Sequence, residues 1–154
     1  MSSYRHIYEI VSRTIILLNN NKDTEYGTTL FLNCCLGLLI IPQQITSRTK
    51  PVFLSQRVSY EEWGIDPTQN KGSEATYDID NVTRHFRNSL SHNRFDIIDC
   101  NPGKEILNIR IRDYYDEKDV QQNKPNFDLT LSISDFKRFV LKYAKEIENK
   151  LQNL

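Results

Sequence analysis

Arg87-Asn88-Ser89-Leu90-Ser91-His92 places a permanent cation, an amide and an imidazole within six residues. Side chains of these types can cleave RNA without a metal ion. Histidine exchanges protons near neutral pH, because its ordinary pKa is about 6.5. Arginine keeps its charge in proteins, and its planar fork matches phosphate oxygens. RNA carries its own nucleophile, the 2′-hydroxyl, beside every phosphodiester. Cleavage then needs a group to take that proton, a fixed cation on the phosphorane, and a group to protonate the leaving oxygen. On this chemistry His92 transfers protons and Arg87 holds the phosphate. Asn88 orients His92 or a phosphate oxygen. One imidazole serves as base or acid but does not readily do both, so a second copy of the site is a physical reason for a dimer.

The element that must carry these groups is an amphipathic helix over about 79–92, with Asp78 as its cap. Ile79, Val82, Phe86 and Leu90 are spaced by three and four residues. At 100° per residue they fall within about 80° of arc, while Arg84, Arg87, Asn88, Ser91 and His92 share about 140° on the other side. Asn88 and His92 are four apart and within reach of each other. Arg84, Arg87 and Arg94 lie in a stretch without acids, and Asp78, Asp80 and Asp96 flank it.

Composition bounds the rest. A chain of 154 residues suits one domain with a sizeable core. Twenty basic residues balance twenty acidic ones, which argues against a protein that coats nucleic acid and leaves room for a local basic site. Cys34, Cys35 and Cys100 form no CxxC pair, and His6, His85 and His92 have no metal-ligand spacing. Buried, reduced thiols in a cytoplasmic protein are expected, with no metal and no cofactor. No signal peptide is visible at the polar N-terminus. The run Leu30–Ile41 is the most apolar part of the chain, and at 12 residues it is too short to span a bilayer.

Periodicity predicts the remaining elements. A helix over about 4–18 follows Ser2-Ser3 as its cap, and a second runs over about 28–45, where Gly37 permits a close helix crossing and Pro42 kinks or ends it. Residues 46–76 read as a polar, irregular stretch, with one helical turn at Tyr60-Glu61-Glu62-Trp63 and Trp63 pinning the stretch to the core. The period then changes to two in Ile109-Arg110-Ile111-Arg112 and again over Phe127–Ile133, which predicts a β-hairpin over about 105–133 with a long polar tip. Ser134 caps a last helix to about 152, striped by Phe136, Phe139, Val140, Tyr143, Ala144, Ile147 and Leu151.

Arg87-Asn88, three residues, then His92, on an amphipathic helix and followed by a hairpin and a terminal helix, resembles the HEPN domains (higher eukaryote and prokaryote nucleotide-binding). So does the apolar helix around Phe31-Leu32-Asn33-Cys34-Cys35-Leu36-Gly37-Leu38-Leu39. The likeness is to small single-domain bacterial and plasmid-borne HEPN proteins. It covers most of residues 4–152 and is weakest over 46–76. It implies a mainly α fold: a HEPN-like bundle of about four long helices with a hairpin inserted before the last, as one domain over 1–154. It also implies a metal-independent endoribonuclease, a homodimer whose two motifs meet in a cleft, and Arg87, Asn88 and His92 as catalytic residues. Around them Arg84, Ser91 and Arg94 are the candidate RNA contacts. A toxin, anti-phage or stress-response role follows from the resemblance, with room for an inhibitory partner protein and none for a membrane.

Other readings of the same residues are blander. Arg87 and His92 can be a solvated helix face, His85 a structural histidine at its edge, and Tyr114 and Tyr115 packing residues at a hairpin end. His6 has no partner in view. The polar face can grip RNA or a nucleotide without cutting, or dock a partner, and a net charge of zero mildly favours docking.

Overall fold

The computed structural model describes residues 5–21, 27–41, 56–101 and 105–153. They form two compact units, one of residues 5–21, 27–41 and 137–153, the other of residues 56–101 and 105–136. Helices dominate, with one small antiparallel sheet. Among the described residues no helix is long and apolar enough to cross a membrane.

In the first unit, Ile7, Val11 and Leu18 recur at helical spacing and form the buried stripe of α1 (Arg5–Asn21). The predicted cap at Ser2-Ser3 lies outside the described residues. The apolar run forms α2 (Gly27–Cys35), which passes into a π-helical turn, Leu36–Ile40. A single α-helix over 28–45 is therefore corrected to an α-helix whose winding changes at Leu36, and 42–45 fall outside the described residues. Gly37 sits in that turn, where a Cβ would lie 3.3 Å from Thr14 Oγ1 and 3.4 Å from Ile10 Cγ2. The close crossing expected at Gly37 is thus made against α1. Cys34 and Cys35 are free thiols, Cys35 buried and Cys34 partly so.

In the second unit, the Ser59 hydroxyl accepts from the Glu62 N–H and starts α3 (Tyr60–Trp63), which Gly64 ends in the left-handed region at φ 73°. Trp63 is 1% exposed, as its anchoring role predicts. Beyond α3 the chain runs along the edge of the sheet: Lys71 N–H donates to Asp128 O, Ser73 N–H to Pro125 O and Glu74 N–H to Asn126 O. This approach needs Gly72, because a Cβ there would lie 2.3 Å from the Asn126 carbonyl oxygen and 2.5 Å from Phe127 Cα. Backbone on both sides cannot rotate away as a side chain could. Gly72→Ala is expected to cost about 1–3 kcal/mol, read as a lower urea midpoint; an unchanged midpoint would show that the segment moves aside at no cost.

The sheet has three strands, not two. Strands β1 (Phe95–Asn101), β2 (Glu105–Asp113) and β3 (Phe127–Ser132) pair antiparallel in the order β1-β2-β3. The predicted hairpin is the β2–β3 pair, with Ile109 opposite Leu131 and Ile111 opposite Leu129. Helix α4 (Ile79–Ser91) precedes the sheet, and the polar tip of the hairpin holds a short helix, α5 (Glu117–Gln121), capped by Asp116. Strand β1 escaped the sequence reading because its alternation lapses after Phe95-Asp96-Ile97, at Ile98. Its pairing with β2, Phe95 to Ile111 and Ile97 to Ile109, is a tertiary contact. On the outer face Arg110 forms a two-pronged pair with Asp128 at 2.8 Å, and Arg112 pairs with Asp96.

The final helix, α6 (Ile133–Gln152), begins two residues before a helix capped by Ser134 would start. Its cap is Ser132, whose hydroxyl accepts from the Asp135 N–H at 3.0 Å, rather than Ser134. All seven residues of its predicted apolar stripe are buried.

Candidate functional site

Helix α4 (Ile79–Ser91) carries the motif. Ile79, Val82 and Phe86 are buried, and the Phe86 ring meets Phe127 at 6.1 Å and Phe136 at 5.5 Å between centroids. This stripe seats the helix on β2 and fixes which way its other face points. Asp78 occupies the cap position, but its side chain makes no capping bond. Instead the Ile79 N–H donates to Gln56 O, and Asp78 bridges to Arg57.

The other end of α4 is a Schellman turn. Arg94 N–H donates to Ser89 O, Asn93 N–H to Leu90 O, and Asn93 takes the left-handed conformation at φ 53°. The buried Ser89 hydroxyl donates to Arg94 O and ties the turn down. His92 is therefore the C-cap, with its position set by backbone bonds and its side chain exposed. Among the described residues no side chain hydrogen-bonds its imidazole.

Arg84, Arg87 and Asn88 are half-buried, and Ser91 and His92 are exposed. His85, at the edge of this face, turns inward: it is 1% exposed and stacks on Phe127 with centroids 4.6 Å apart. Its Nδ1 lies 2.9 Å from Asp113 Oδ2. The same oxygen accepts from Asn88 Nδ2 at 3.0 Å, while Asp113 Oδ1 accepts from the Tyr114 N–H and lies 3.6 Å from Arg94. Burial pushes the Asp113 carboxyl up, but the bonds from His85, Asn88 and the Tyr114 N–H outweigh it and hold it below its ordinary range. Asp113 is thus an anion at neutral pH, and the His85 nitrogen facing it carries the proton.

Asn88 spends its other half on Arg87. Its carbonyl oxygen accepts from Arg87 Nε at 3.1 Å and Nη2 at 2.6 Å. The amide has one consistent orientation, because it must donate to a carboxylate and accept from a guanidinium. Of the two roles expected of Asn88, orienting His92 or a phosphate oxygen, its side chain does not serve the first here. The two residues meet only through the backbone, His92 N–H to Asn88 O. Two of the five Arg87 N–H donors face Asn88, which leaves three for other acceptors.

Around this centre the expected RNA contacts differ from one another. Arg84 pairs with Glu74 Oε1 and Asn81 at 3.3 Å. Arg94 lies over the Tyr114 ring at 5.4 Å, and Ser91 is exposed without a described side-chain bond. Tyr115 does not pack: it is 68% exposed and donates its hydroxyl to Glu74 Oε2. Glu74 also accepts from Asn126 at 3.2 Å and approaches the buried, unbonded His85 Nε2 to 3.7 Å. Among the described residues no three His, Cys, Asp or Glu side chains converge as metal ligands would.

Asp113 and Glu74 are the participants that sequence reasoning missed. Asp113 had a signal: continuing the alternation past Ile109 and Ile111 puts position 113 on the inward face, where an acid needs partners. Glu74 lies in irregular chain and had none. No curated protein and no solved structure matches the chain. The model of one family, HEPN pEK499 p136, matches residues 1–154. The chain belongs to the HEPN pEK499 p136 family.

Proposed function

We propose that this protein is an endoribonuclease that cleaves RNA by 2′-hydroxyl attack, with no metal in the reaction. One observation carries the reading: among the described residues, one helix and its C-cap present an arginine with three N–H donors to spare and an exposed histidine with no side-chain partner. HEPN membership supports a nucleotide-binding or ribonuclease-type module. Arg87 holds the scissile phosphate and stabilises charge on the phosphorane. His92 takes the 2′-hydroxyl proton as the 2′-oxygen bonds to phosphorus and the bond from phosphorus to the 5′-oxygen breaks. The His92 of a second copy protonates that departing oxygen. The products are a 2′,3′-cyclic phosphate and a 5′-hydroxyl. Asn88 steadies Arg87, while Arg84, Ser91 and Arg94 contact the RNA backbone.

The working form in this reading is a cytoplasmic homodimer of one-domain chains, acting as a toxin, anti-phage effector or stress-response nuclease, restrained where needed by a partner protein. The family match over the whole chain supports the single domain. A second reading, a module that binds RNA without cutting, draws support from His92: Arg87 is held by Asn88, but among the described residues no side chain orients the imidazole for proton transfer.

Incubating the purified protein with labelled RNA and with DNA of the same sequence, in EDTA, separates the two. Cleaved RNA with cyclic-phosphate ends beside intact DNA is expected, because DNA lacks the nucleophile. RNA that is bound yet keeps its length at high protein concentration would replace the nuclease reading with the binding one.

A further inference from the structure

Asp113 satisfies more of the site than its own burial requires. Its carboxylate already has the His85 ring, the Tyr114 N–H and the nearby Arg94 guanidinium. The Asn88 amide is half-buried and could be met by water, yet it is drawn onto Asp113 Oδ2 at 3.0 Å. The next link is the Asn88 carbonyl oxygen, held between two N–H groups of Arg87. A continuous chain of hydrogen bonds thus runs from the end of a strand, through one amide, to a guanidinium.

We propose that Asp113 is the positioning residue of this site: it fixes the Asn88 amide, and through it aims the three remaining N–H donors of Arg87 outward. The inference rests on the reading of Arg87 as the phosphate-binding group. Its physical basis is the difference in rigidity between the two ends. Arginine alone on a helix surface samples many rotamers, whereas Asp113 sits on the buried face of β2, between backbone bonds to β3 and the stacked His85 ring. Asn126 N–H also donates to the Asp113 carbonyl, so the end of β2 is held on the β3 side as well. Anchoring through such an element holds a catalytic donor where a loop would not. Asp113 touches no substrate in this arrangement. It acts only through Asn88.

The test uses the full chain with Asp113→Asn and Asn88→Ala, singly and together. The first readout needs no RNA: the Arg87 Nε–H resonance, identified by its absence in Arg87→Lys, should exchange slowly with water in the wild type and rapidly in both variants. The second is single-turnover RNA cleavage. Asp113→Asn should slow it by about 10²-fold with little change in the RNA dissociation constant, and should add little further loss once Asn88 is alanine. A slow Arg87 Nε–H in Asp113→Asn, or losses that multiply in the double variant, would overturn the proposal. Should Asp113→Asn fail to fold, Asp113→Glu keeps the charge and displaces the carboxylate by one methylene. An unchanged Arg87 resonance there would equally overturn it. If the wild type leaves RNA intact, the nuclease reading falls alone, and the resonance still decides whether Asp113 holds Arg87.

Discussion

His92→Ala is expected to slow RNA cleavage by about 10²–10⁴-fold while leaving the protein folded. The loss follows from chemistry: alanine cannot take the 2′-hydroxyl proton, and its partner copy cannot return one to the leaving oxygen. The fold survives because the C-cap role of position 92 is played by backbone groups, its N–H on Asn88 O and the turn bonds of Asn93 and Arg94. No side-chain bond among the described residues is lost, and surface changes of this kind usually stay within about 0.5 kcal/mol. Cleavage rates with labelled RNA and a urea unfolding curve, taken on the same preparations, check both halves. Equal rates for variant and wild type would remove His92 from the mechanism, whatever the stability.

Phe86→Ala is expected to do the opposite, costing about 3–5 kcal/mol of stability. Phe86 is fully buried, and its ring meets Phe127 and Phe136. Alanine would leave a cavity on the inner side of the helix that holds Arg87 and Asn88 on its outer side. A domain is commonly stable by about 5–15 kcal/mol, so this single truncation removes a large share. Urea unfolding measures it directly. A loss under about 1 kcal/mol would mean the site collapses around the smaller side chain, against what close packing leads one to expect. Taken as a pair, the two variants separate the faces of one helix: position 92 moves the rate and spares stability, and position 86 lowers stability first.

How legible each part was follows from the range of the interaction behind it. Helix α4, its inner stripe and its polar face were readable because hydrophobic periodicity is local. The same holds for the α6 stripe and for the β2–β3 pair, whose alternation is long enough to register. Strand β1 was not readable, since its short alternation becomes a strand only by pairing with β2. Nor was the change to a π-helical turn at Leu36, which no apolar pattern announces. The cap of α6 was read at Ser134 and lies at Ser132, because the pairing of β3 decides where the strand ends and the helix begins.

By itself, then, the sequence determined which residue types stand together at the end of α4, because five consecutive helical positions and the C-cap that follows have no freedom to be elsewhere. It also determined family membership, which the match over 1–154 reports. Only the tertiary structure decided what those residues lean on. Asp113 reaches Asn88 across 25 positions, and Glu74 reaches Arg84 across ten. The inward register of β2 turns Asp113 toward α4, while the contact that Gly72 permits brings Glu74 to the same place. No local pattern encodes either meeting, because each depends on the packing of elements whose order in the chain says nothing of their distance in space.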